Sequence, residues 1–273
     1  MTNNSGGRLL STLAVSGLFA LYAVPILLVI LASFKTNAEI VNNPSSLVFT
    51  PTFDAYRTVF NEDFLQALFN SLILATGSTL LTLAVGVPLA YVLARSPGAW
   101  GSIVIAVLIA LQMTPAATAV IPQFRVLAAL GQLGTYTGVI LAMSAAALPY
   151  AVLILRPFYL SIPPEVEEAA QVDGASRLRT FVSIVLPLVR NGISLIGVLL
   201  FIGAWGEFLY PISFLNDQSQ FPLSVLILQQ QGFYGTQWNN LMALAILGAI
   251  PTIIIFTLVA RRLTSGLALG AGK

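Results

Sequence analysis

The residues able to do chemistry are few, and eight of the 22 charged ones crowd into one stretch. Between positions 156 and 190 the chain sets Glu165, Glu167, Glu168 and Asp173 against Arg156, Arg177, Arg179 and Arg190. His and Cys are absent throughout. That removes the usual general base, the thiol nucleophile, disulfides and thiolate metal sites together. One more acid, Glu207, interrupts an otherwise apolar run. The tail from Gly266 to Lys273 has the look of a phosphate loop, but that pattern needs glycine where Leu267 stands. The expectation is a protein that is not an enzyme, holds no metal and has no ATPase site of its own.

The elements that position these residues follow from composition. Of 273 residues, 57% are hydrophobic and 8% are charged, against about 25% charged in a soluble domain. Such a small charged fraction cannot solvate a globular surface, so the partner is a lipid bilayer. A net charge of +2 gives no support to a nucleic-acid partner. Charge-free runs long enough to cross a bilayer lie at 9–34, 64–94, 96–124, 126–155 and 191–216, the last broken by Glu207. A sixth span is placed at 241–260. The apolar part of the first run exceeds that of a signal peptide, so it reads as a retained helix. The fold expected is all-α, with about six transmembrane helices in one domain, 1–273.

Alternating spans place Arg8, Arg95, Arg156, Arg177, Arg179, Arg190, Arg261, Arg262 and Lys273 on one side, against Lys35, Arg57 and Arg125 on the other. The richer side is cytoplasmic by the positive-inside rule, which puts both termini there. The acidic and arginine-rich loop, about 157–190, is then cytoplasmic. Pro163 and Pro164 suit a helix start, and three glutamates follow where the helix dipole favours them. Val166, Ala169 and Ala170 fall on one small apolar face. Asp173-Gly174 is a turn signal that ends this helix. A second helix carries Leu178, Phe181, Val182 and Val185 at helical spacing, with Pro187 at the entry to the fifth span. A lipid-binding helix would be basic; this loop is balanced.

The loop resembles a known motif. Glu168-Ala169-Ala170, Asp173-Gly174-Ala175, Phe181, Ile184 and Leu186-Pro187-Leu188 are similar to the EAA loop of binding-protein-dependent ABC importers at every specified position. Asn70-Ser71, Trp205-Gly206-Glu207 and the glycine-rich ending extend the resemblance to the MalG-like permeases of carbohydrate uptake. Gly206 departs from the family, where Asn is common. The resemblance implies two permease subunits in a prokaryotic inner membrane, a dimeric ABC ATPase that binds ATP and Mg, and an extracytoplasmic solute-binding protein. It implies no cofactor in this subunit. It implies that Glu168, Ala169, Ala170, Asp173, Gly174, Ala175, Phe181 and Pro187 couple the chain to the ATPase through a short EAA helix.

The translocation path is less legible. Glu207 either lines it or makes a structural hydrogen bond to the partner permease, since an intramembrane acid faces a cavity or a partner. Trp205, Tyr210, Phe233, Tyr234 and Trp238 either pass a sugar by stacking or form an interfacial belt. Gln112-Met113-Thr114-Pro115 makes either a kink or a polar niche. The solute expected by resemblance is a sugar or sugar-like compound, with a glycerol-phosphate compound as the alternative. An ion-coupled carrier or channel is the rival class, but those show paired repeats and several intramembrane ionisable groups, whereas here Glu207 stands nearly alone.

Overall fold

A computed structural model describes residues 5–96, 98–232 and 235–268, with side chains at 12–96, 98–231 and 235–258. Phe233, Tyr234 and the tail residues Gly270–Lys273, singled out above, lie outside the described residues. In chain order the helices are α1 Ser5–Ser33, α2 Asn37–Asn42, α3 Asp54–Val59, α4 Glu62–Arg95, α5 Ala99–Gln112, α6 Ala116–Ala129 and α7 Tyr136–Leu160. There follow α8 Pro164–Val172, α9 Arg177–Thr180, a π turn Phe181–Val185, α10 Leu186–Trp205, α11 Leu209–Phe214 and α12 Leu223–Gln229. Two-residue strands β1 Gln231–Gly232 and β2 Gly235–Thr236 pair antiparallel before α13 Trp238–Ala268. Five of the described helices are long and apolar enough to cross a membrane, or six if the α5–α6 pair counts as one broken span.

The expected spans hold in number and shift in detail. The third is not straight: α5 and α6 meet at 105°. Pro115, extended at ψ 136°, stands at the start of α6 and breaks the ladder. Residues 126–129 belong to α6, and the next span starts only at Tyr136. Between them Gly131 and Gly134 take positive φ, a turn that a search for charge-free runs passes over. The fifth span starts earlier, because exposed Arg177, Arg179 and Arg190 ride on the first turns of one helix from Arg177 to Trp205. It ends sooner, at Gly206. Pro187 therefore lies within that helix rather than at its entry. The π turn just before it widens the ladder where a proline would otherwise clash, with the Leu186 N–H reaching back to the Phe181 carbonyl.

The chain forms two compact units, 1–65 with 226–250 and 66–225 with 251–273. In the first, the end of α1 is tied to the segment that follows it. Ser33, fully buried, shares a 2.8 Å hydrogen bond with the Tyr56 hydroxyl, and Phe34 packs between Phe53 and Tyr56. Lys35 is buried as well: its Nζ donates to the Ser46 carbonyl at 2.6 Å and lies 5.1 Å from the centre of the Phe49 ring. A buried ammonium needs such partners. Asn37 Oδ1 accepts the Trp238 N–H at 2.9 Å.

The second unit packs α7 at its centre, against α5, α10 and α11. Ala151, Val152 and Leu155 are wholly buried there, with Ala90 of α4 and Ile196 of α10. Close approach depends on Gly192, whose missing Cβ would sit 2.7 Å from the Phe158 ring. Gly192→Val is therefore expected to wedge α10 off α7 and cost about 1–3 kcal/mol. A lowered melting temperature of the purified protein would register it, and an unchanged one would show that the ring moves aside freely.

A polar clasp closes the unit at the start of α4. Asn70, fully buried, donates to the carbonyls of Ser219 and Phe221 at 2.8 and 3.0 Å. Its Oδ1 accepts from Gln66 Nε2 and the Tyr136 hydroxyl at 3.1 and 2.8 Å. Ser71 Oγ accepts the Leu223 N–H at 2.8 Å. Beside this clasp the Ser219 amide, then its hydroxyl, holds the Asp217 carboxyl below its ordinary value. The Asn-Ser pair noted in the sequence thus fastens the loop after α11 to α4.

Candidate functional site

Two places in the second unit gather the singled-out residues. The first is the α8–α9 hairpin. Past the C-cap Asp173, Gly174 takes φ +85°. Its N–H bonds the Gln171 carbonyl at 3.0 Å, and the Ala175 N–H bonds the Ala170 carbonyl at 2.9 Å. These two bonds form a Schellman motif, which satisfies carbonyls at the helix end. Ala170 is buried. Ser176 then caps α9 by accepting the Arg179 N–H at 3.3 Å. The hairpin is thus a rigid local structure written in Asp173-Gly174-Ala175-Ser176.

What holds α8 in place is one of the four acids of the charged loop, and the sequence alone assigns it no separate role. Glu167, only 7% exposed, accepts from the Tyr91 hydroxyl at 2.6 Å. Its other oxygen accepts from Arg95 Nε at 2.7 Å and lies 2.7 Å from Arg95 Nη2. The same Nη2 donates to the Ile162 carbonyl at 3.0 Å. One guanidinium therefore bridges the end of α4, the turn before α8 and α8 itself, in the planar fork that arginine supplies. Tyr91 also packs its ring on Phe181, 4.7 Å between centres, and edge-on to Tyr159 at 5.7 Å. Phe181 is half-buried in this contact. Glu168, Ala169 and Asp173 face outward, with Val166, Val172, Leu178 and Val182 exposed around them. The small apolar face expected from Val166, Ala169 and Ala170 is accordingly split: Ala170 packs inward and the other two do not. Pro187 is exposed, and Ala175 half-buried.

The second place is a cavity of about 420 Å³. It brings together Gln112 and Ala116, one on each side of the α5–α6 break, with Glu207 and Tyr210 from around the α10–α11 break. Three of the four residues expected on the path therefore converge. Trp205 does not line the cavity; it is 9% exposed and stacks on Phe201 at 5.7 Å. Tyr210 is buried too, whereas Trp238 is exposed. Glu207 is not inside a helix, as the charge-free run suggested. It follows the helix end at Gly206, half-buried, and its Oε1 accepts the Leu209 N–H at 2.7 Å. A carboxylate at a helix start is favoured by the free amides there. The Glu207 carbonyl accepts from Ser224 Oγ at 2.7 Å.

Ser78, Thr79 and Thr82 of α4 also line the cavity. Sequence reasoning passed over them, although three small polar residues on one face of an apolar span are a recognisable signal. Among the described residues no cluster of His, Cys, Asp and Glu has the makings of a metal site.

Comparison with known proteins agrees with this architecture. The sulfoquinovosyl glycerol transport system permease SmoH of Agrobacterium fabrum is 34% identical over 96% of this chain and 91% of its own length. The trehalose transport system permease SugB of Mycobacterium tuberculosis is 31% identical over 92% of each chain. The diacetylchitobiose uptake permease NgcG of Streptomyces coelicolor is 30% identical over 90% of this chain and 83% of its own. In fold, a chain of a bacterial ABC transporter that imports the acidic polysaccharide alginate superposes with a TM-score of 0.77 at 22% identity, covering 96% of this chain and 98% of that one. Residues 86–268, more than half of the sequence, match one family model, and the chain belongs to that family, the binding-protein-dependent transport system inner membrane components, which are the permease subunits of ABC importers.

Proposed function

We propose that this permease carries a sugar or sugar-like solute through a path that includes the 420 Å³ cavity, and that the α8–α9 hairpin joins it to an ATPase. The sugar assignment draws its support from relatives named for sulfoquinovosyl glycerol, trehalose and diacetylchitobiose. The observation that carries the coupling assignment is the anchoring of Glu167 by Arg95 and Tyr91. It fixes α8 to α4 while leaving Glu168 and Ala169 outward for a docking partner. A push on α8 then moves α4, which lines the cavity. Gly174 and Ala175 end the helix sharply, Ala170 packs inward, Phe181 packs on the Tyr91 ring that donates to Glu167, and Asp173 and Pro187 are exposed.

The chain works as one transmembrane domain beside a second permease. A dimeric ATPase supplies the energy and binds ATP and Mg, since no phosphate loop is present here. An external binding protein delivers solute. Both termini and the hairpin are cytoplasmic. Reporter fusions after Lys273 and near Asp54 are expected to report opposite sides of the membrane, and the same side for both would refute the orientation. The assignment as a whole is tested by purifying the complete complex and assaying vesicles loaded with it. An ATPase should copurify, and sugar uptake should require ATP and the binding protein. Uptake without ATP would overturn it.

A further inference from the structure

We propose that the cavity takes an uncharged, polyhydroxylated solute, with the Glu207 carboxylate accepting solute hydroxyls and excluding sulfonated, phosphorylated or uronate sugars. This rests on the transport reading above and narrows it.

The lining carries the argument. Thr79 and Thr82 are 8% and 2% exposed, and their hydroxyls have no hydrogen-bond partner. A helical threonine in an apolar span ordinarily satisfies its hydroxyl on the carbonyl one turn back, as Thr257 does on Ile253 at 2.7 Å. Thr79 and Thr82 do not, so two buried hydroxyls stand unsatisfied at the cavity wall, where a solute hydroxyl would satisfy them. The volume of about 420 Å³ is in the range of small-molecule sites. Its wall is mostly apolar, with Met143, Leu199 and Leu200 among the lining residues, and its polar groups are few.

Charge decides the class. Glu207 is the one carboxylate among the lining residues, and no Lys or Arg is among them. The break between Gln112 and Ala116 sets a helix carboxyl end beside a helix amino end, whose opposite partial charges offset each other. An ionised carboxylate accepts hydrogen bonds and donates none, so it favours hydroxyl-bearing ligands. An anionic solute beside it would bring like charges together in a medium that screens them weakly. The 34% identity to a permease named for a sulfonated glycoside therefore does not extend to the charge of the solute.

Direct binding to the complete, nucleotide-free complex, without the binding protein, tests this by equilibrium titration. The uncharged probes are trehalose and diacetylchitobiose. The anionic probes are sulfoquinovosyl glycerol, an alginate oligosaccharide and glycerol 3-phosphate. At least one uncharged probe is expected to bind and no anionic one to do so. Glu207→Gln should weaken the uncharged probe about tenfold or more, the ratio a lost charge-assisted hydrogen bond produces, and should admit anionic probes. Thr82→Val, which keeps the shape, should weaken it several-fold without admitting anions. Binding of an anionic probe to the wild type as tightly as an uncharged one would overturn the proposal. So would binding by no uncharged probe, or Glu207→Gln with unaltered affinity in an intact complex. Failure of the transport reading is distinct, since it appears as uptake that does not depend on ATP, whatever binds here.

Discussion

Glu167→Ala is expected to abolish ATP-driven uptake while leaving the subunit in the membrane. The substitution strands the Arg95 guanidinium, whose side chain is 21% exposed, and takes the acceptor from the Tyr91 hydroxyl. Removing one partner of a buried pair costs about 3–5 kcal/mol. Partial exposure of Arg95 lowers this to about 2–3 kcal/mol, because water reaches the freed cation. That is enough to release α8 from α4, whereas the spans keep their packing. The measurement is a double-mutant cycle with Arg95→Ala, read by the unfolding stability of the purified complex, with uptake and solute-stimulated ATP hydrolysis assayed beside it. Coupling of about 1–2 kcal/mol in stability is expected for such contacts, with the double variant little worse than Glu167→Ala. Additive losses would mean that the pair does not act as a unit. Wild-type uptake in Glu167→Ala would remove the anchor from the mechanism.

Gly174 gives the second large effect, and its test turns on shape rather than size. Its Cβ would meet nothing within 4 Å, yet its φ of +85° is one that side-chain-bearing residues adopt with strain. The left-handed region costs about 1–2 kcal/mol for an ordinary residue and more for a β-branched one. Asn tolerates it better than Ala does. Uptake is therefore expected to fall in the order Gly, Asn, Ala, Val, with Val near zero. An order that follows side-chain volume, with Asn worse than Ala, would make the position a packing contact with a partner instead of a backbone turn.

Much of this molecule is legible before folding is considered, and the failures have physical causes. Charge-free runs find helices because lipid tolerates few charges, but they are blind to breaks made of neutral residues. That is why Gly131 and Gly134 do not register as turns and why Glu207 reads as part of an unbroken helix, whereas Pro115 does register as an interruption. The Asp173-Gly174 turn is readable because its chemistry is local. Glu167 is not, because three nearby glutamates look alike and what separates them is Arg95, 72 residues away. The cavity is half visible: Gln112, Glu207 and Tyr210 stand out as polar or aromatic, whereas Thr79 and Thr82 matter only through the partners they lack.

The clasp at Asn70 has a consequence for how the protein is made. Its Gln66 partner is four residues earlier, its Tyr136 partner 66 residues later, and the Ser219 and Phe221 carbonyls 149 and 151 residues later. At ribosomal speeds of about 5–20 residues per second, the last two arrive roughly 7–30 s after Asn70 has left the ribosome. Through that interval the Asn70 amide lacks its native carbonyl acceptors, and a buried donor left without a partner costs about 1–3 kcal/mol. The helix must wait beside water, an insertase or another polar group until α11 has been threaded. A residue that locks the finished fold thus depends on outside polar groups during insertion, and slowing translation beyond residue 136 lengthens the time for which they are needed.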